Sequence, residues 1–216
     1  MYVRRTKMAL FYTMNTEPTT APTPLEICNI ALSKLGEAPI PAIDANASPA
    51  ARLCYMHYHP VRREVLCANR WTFATVLTTI HSAETTQDLA LHSRAHSLPQ
   101  DCLRVLEVSS PGWTLRGRCI YCPAPAVRVL YIADVEDTTS FDPLFVEALA
   151  TRLACKLCIP LTSSTTARQA LTEEYHRLAL PQAAHFNGVQ CRSNDTHPLY
   201  ALWRQSMAAH PDVDNL

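Results

Sequence analysis

The chain has 216 residues, of which 48% are apolar and 18% charged, and 19 Lys and Arg balance 19 Asp and Glu. That length is ample for one core, or for one domain with a modest insert. Zero net charge provides no long-range field toward nucleic acid or anionic lipid, which counts against a dedicated sequence-reading DNA binder but not against a protein that merely surrounds DNA. Sixteen prolines against four glycines point to stiff, defined connections. Nine cysteines, scattered over apolar positions, suggest reduced core thiols of a cytoplasmically made protein.

Residues 1–23 have the composition of an arm, because the Pro- and Thr-rich run 16–24 can form neither helix nor central strand. Thr23-Pro24 opens a helix whose apolar side holds Leu25, Cys28, Ile30, Ala31, Leu32 and Leu35, with Gly36 as its stop. A linker with Pro39 and Pro41 follows. Ser48 and Pro49 then start a second helix, with Ala51, Cys54, Tyr55, Tyr58, Val65 and Leu66 along one face. Pro60 is expected to kink or split it. Arg52, Arg62, Arg63 and Arg70 suggest a basic, solvated outer side.

From Trp71 the pattern changes to β-branched and alternating segments: 73–80, 94–98, 103–108, 114–121 and 126–133. Val127, Val129 and Tyr131 alternate with Arg128, Leu130 and Ile132, which predicts a last strand covered on both faces. Phe141-Asp142-Pro143 then starts a very apolar helix with a capping Asp, a first-position Pro and a Phe141/Val146 staple. Glu147, Thr151, Arg152 and Lys156 leave it a narrow polar strip, and Pro160 is expected to end it. A further helix carries Ala167, Ala170, Leu171, Tyr175 and Leu178 to about residue 180, with an outer face of Arg168, Glu173, Glu174 and Arg177. Periodicity fades after Phe186. The fold class is therefore α+β: a four-helix bundle (24–72 and 136–186), an inserted antiparallel β lobe (73–135) and extended terminal arms (1–23 and 187–216).

Chemistry is harder to find. Two Cys-x-x-Cys pairs, Cys119/Cys122 and Cys155/Cys158, raise a zinc-stabilised binding module, but their separation exceeds that of a zinc ribbon and the second pair lies in the most apolar helix. His57 and His59 point apart on a helix, and His92 and His96 lack an acidic third ligand. Asp134, Glu136, Asp137 and Asp142 could supply the carboxylates of a glycan- or wall-cleaving enzyme, although Asp142 is already a cap. Neither a phosphate-binding glycine loop nor a nucleophile with a base at a recognisable spacing is present. No catalytic, cofactor or metal residue is assigned.

Four passages, in this order, carry a resemblance: PLEICNIALSKLG (24–36); residues 51–74 with Cys54, Arg62 and WTFA (71–74); LPQDCLRVL (98–106); and FDPLFVEALA (141–150) with Leu153 and Ala154. Together they resemble the tail tubular protein A family, the head-to-tail adaptor or gatekeeper of short-tailed bacteriophages, over about residues 24–186. The long arm, Pro60, the cysteine enrichment and the C-terminal region depart from it. The resemblance implies a structural virion protein without enzymatic activity, made in the host cytoplasm. It would form a homo-oligomeric ring, usually of twelve copies, between the portal protein and the tail nozzle. Double-stranded DNA would pass through without sequence-specific binding, as a neutral wall allows. Docking is expected on residues 187–216, where Leu199, Tyr200, Leu202 and Trp203 form an apolar cluster.

Overall fold

The computed structural model describes residues 21–82, 87–88 and 93–192. The protein is a mixed structure of helices and two small antiparallel sheets. Helices α1 (Pro24–Ser33) and α2 (Pro49–Ala68) precede seven strands, β1 (Thr75–His81), β2 (Gln87–Asp88), β3 (Ser93–Ser97), β4 (Cys102–Val108), β5 (Thr114–Arg116), β6 (Cys119–Cys122) and β7 (Ala126–Ala133). Helices α3 (Pro143–Thr162), α4 (Thr165–Glu174) and α5 (Leu180–Arg192) follow.

The helix starts are specified locally. Thr23 and Glu26 form a reciprocal capping box, Ser48 accepts from the Ala51 N–H, and Asp142 accepts from the Leu144 N–H at 2.8 Å. Gly36, with φ at 73°, turns the chain away after α1, and Asn29 then clamps the linker by bonding both the N–H and the carbonyl of Ile40. Helix α3 is buried nearly all round, from Phe145 to Cys158, and α1, α2, α4 and α5 all pack on it.

Three expected helix breaks do not occur. Helix α2 runs unbroken through Pro60, and α3 continues past Pro160 to Thr162. Both prolines are exposed, so the carbonyl each leaves without a donor can be hydrated. Helix α3 ends instead at Ser163, whose left-handed backbone (φ 54°) returns its N–H to Ile159. The last helix does not fade near 180 or 186. A π-helical turn at Tyr175–Ala179 widens the backbone just ahead of Pro181, and α5 carries on to Arg192.

Two sheets form where one was expected, in the strand orders β1-β7-β4 and β2-β3-β6-β5. The segment 114–121 is a hairpin rather than one strand, because Gly117 (φ 59°) reverses it between Arg116 and Cys119. Strand β7 is central and covered on both sides. Its Ile132 joins the helix core, whereas Val127, Val129 and Tyr131 join a second core with Ile120 and Cys122 of β6.

An aromatic cluster in the helix core gathers residues from the end of α2, the approach to β1 and the start of α3. Phe145 lies 4.9 Å from the Trp71 ring, 5.0 Å from Phe73 and 4.8 Å from Phe141, centroid to centroid, in edge-to-face contacts. Trp71 is 1% exposed and donates its indole N–H to the Val65 carbonyl at 2.9 Å, while Phe73 is half-buried. Trp71→Ala is expected to cost about 3–5 kcal/mol, the usual range for a buried aromatic. An unchanged denaturation midpoint would contradict this placement.

Candidate functional site

Charge is concentrated where the acidic link after β7 meets α2. Arg62 is not on a solvated face. It is 1% exposed, and its Nη2 bonds Asp134 Oδ1 at 2.7 Å and Glu136 Oε1 at 3.0 Å. Arg63 Nε takes the other oxygen of Asp134 at 2.7 Å, so both oxygens of that carboxylate, itself 12% exposed, are engaged by cations. Arg104 of β4 donates to the Cys67 carbonyl, and Arg70 pairs with Glu107 at 2.6 Å. These contacts fasten the end of α2 to the sheet.

Asp134, Asp137 and Asp142 each have a structural partner. Asp134 is paired with two guanidinium groups, Asp137 accepts from Thr139 in a turn, Asp142 caps α3, and Glu136 and Asp137 are exposed. A shallow depression along α4 and the π-helical turn is lined by Arg168, Gln169, Thr172, Glu173, His176 and Arg177.

The two Cys-x-x-Cys pairs lie in different cores, with Cys122 between the sheets and Cys155 and Cys158 among the helices. Cys158 Sγ sits 3.4 Å from Thr162 Oγ1 within its own helix. No cluster of three or more potential metal ligands occurs among the described residues. Eight described cysteines are free thiols. Burial raises the pKa of Cys67, Cys102 and Cys155, and a hydrogen bond with Cys54 together with burial raises that of Cys28. Thiols held protonated in this way are poor nucleophiles. Burial likewise lifts the Tyr58 hydroxyl to about 12.

Among the expected histidines, His59 is exposed and His57 half-buried, while His92 lies outside the described residues. His96 is fully buried and donates Nε2–H to the Ala124 carbonyl at 3.0 Å. The docking residues Leu199, Tyr200, Leu202 and Trp203 also lie outside the described residues.

Two features escaped the sequence reading because the last helix was ended too early. Asn187 is buried, not part of a loose tail: its Oδ1 accepts from the Thr72 N–H and hydroxyl, and its Nδ2 donates to the Arg70 carbonyl at 2.6 Å. Helix α5 is thereby tied to the junction of α2 and β1. On its opposite side Phe186 and Val189 are exposed, as are Tyr55 and Met56 on α2. The signal in the sequence was the charge-free run from Leu178 to Cys191. No helix of the described residues is long and apolar enough to cross a membrane.

Comparison with protein-family models and with curated protein sequences finds no match.

Replacing both Asp134 and Glu136 by Ala would strand the buried Arg62 charge and is expected to destabilise the protein by about 3–5 kcal/mol; a loss below about 1 kcal/mol in denaturant titration would show that these pairs carry little. His96 supplies a pH test. Burial pushes its pKa below 6.5, reinforced by Arg94 and His81 and opposed by the Ala124 and Ile80 backbone. A depressed folded-state pKa means stability is intact above the unfolded value, about 6.5, and is lost as pH falls through the folded one. The melting temperature should drop over that acid window, and His96→Gln should flatten the dependence.

Proposed function

We propose that this chain is a structural subunit of the tail tubular protein A type, a head-to-tail adaptor of short-tailed bacteriophages. In this reading the helices act as a four-helix bundle around α3, with the sheets as a lateral lobe. Copies form a ring, twelve as in the family, between the portal and the nozzle, and the ring encloses the DNA exit channel in the virion.

One observation carries the reading. Three of the four passages behind the resemblance, distant in sequence, contribute to the joint between α2, β4 and α3, and the fourth packs on α3. Residues 51–74 supply α2, Trp71 and Phe73; residues 141–150 supply Phe141 and Phe145; residues 98–106 supply Arg104, which bonds the end of α2; and residues 24–36 supply α1, which packs on α3. The engaged carboxylates and raised thiols favour a structural role over the hydrolytic and zinc-binding alternatives.

Docking is assigned to the region after α5, with Trp203 as chief anchor, because Trp and Tyr are favoured anchors in interfaces. The described part of residues 187–216 belongs to the helix, so the docking segment starts after Arg192. Deleting residues 193–216 should leave the subunit folded and abolish co-sedimentation with portal-bearing heads assembled without this protein. Retained co-sedimentation would overturn the assignment of docking to this region, and loss of folding would place it in the subunit's own core.

A further inference from the structure

The outer face of α4 and α5 changes character along its length. Between Arg168 and Arg177 it carries Arg168, Glu173, Glu174 and Arg177, as a solvated face does. From Leu178 to Cys191 there is no Asp, Glu, Lys or Arg. Leu178, Phe186 and Val189 are 51%, 53% and 49% exposed. Phe186 and Val189, three residues apart, share one side of α5, and Leu178 extends the exposed apolar surface into the π-helical turn. An apolar stripe this long on a charge-free face marks a contact surface.

We propose that, before assembly, Leu199, Tyr200, Leu202 and Trp203 lie on this stripe of their own subunit and leave it when the subunit meets its partner. The release step rests on the adaptor reading; the docking in cis does not. Reach favours it. Seven residue steps separate Arg192 from Leu199, enough for about 23 Å of extended chain. Phe186 lies only about 9 Å back along the helix from Arg192. A segment so tethered meets its own stripe at an effective concentration of about a millimolar, so at lower subunit concentrations it outcompetes the same segment of another copy. Covering the stripe and the four side chains with each other hides both apolar surfaces, which keeps the free subunit from self-association until a larger interface displaces the contact.

Arg204 follows Trp203 directly, so tryptic release of residues 205–216 reports whether the segment is held. The full chain is digested at several concentrations, each sedimented in parallel, and compared with Phe186→Glu/Val189→Glu and with Leu202→Glu/Trp203→Glu. Phe186 and Val189 are exposed, so their replacement leaves the core intact, which the melting temperature checks. We expect slow, concentration-independent cleavage at Arg204 in the monomer and at least tenfold faster cleavage in both double variants. Rapid cleavage of the unmodified chain, or equal rates in the variants, would overturn the proposal. Protection that grows with concentration alongside dimers or larger species would assign the stripe to a second copy instead. Each outcome is read on the isolated subunit, independently of whether it joins a phage head.

Discussion

Helix α3 cannot be left in water on any side, and most of the remaining structure answers that constraint. From Phe145 to Cys158 its side chains are buried almost without interruption, including Thr151, whose hydroxyl is satisfied by the Glu147 carbonyl. Burial of each large apolar side chain is worth about 1.5–3 kcal/mol, so such a helix gathers whatever can cover it. Its few solvent-side charges are used as fasteners. Glu147 shares Lys34 with Glu174, joining α1, α3 and α4, and Arg152 and Lys156 both reach Glu64 of α2.

The sheet region is attached to this helical core by a few specific contacts. Ile132 of β7 with Leu103 and Leu106 of β4, packed on the helix core, provides the apolar part, and the buried Arg62 with Asp134 and Glu136 provides the polar part. A buried ion pair is weak evidence for net stability, because desolvation offsets much of the attraction. Its value here is positional: it fixes where the chain leaving β7 turns toward α3. Asn187 does the same for α5, holding it through three hydrogen bonds to Arg70 and Thr72.

Much of this was legible in the sequence where local chemistry decides the outcome. The caps at Thr23, Ser48 and Asp142, the apolar girth of α3 and the two-sided character of β7 follow from residue type and spacing alone. Misreadings arose where environment outweighs local rules. Pro60 and Pro160 lie on exposed helix faces, and Pro181 is accommodated by a π-helical turn, so none of the three ends its helix. Arg62 looks like its exposed neighbours Arg52 and Arg63 until Asp134, 72 positions away, is brought beside it. Gly117 could have announced the hairpin between β5 and β6, since glycine permits its positive φ at little cost. The candidate site was less legible than the fold, because a docking face is defined by what is missing from it, here the charges between Leu178 and Cys191.

The ring-forming adaptor role is the central claim, and direct imaging addresses it most simply. Purified full-length subunits would be added to DNA-filled, portal-bearing heads assembled without this protein and imaged by electron microscopy. The account predicts a ring of added density beneath the portal, with a central channel in line with the portal's own. Heads whose portals stay bare after incubation with folded subunits would contradict it.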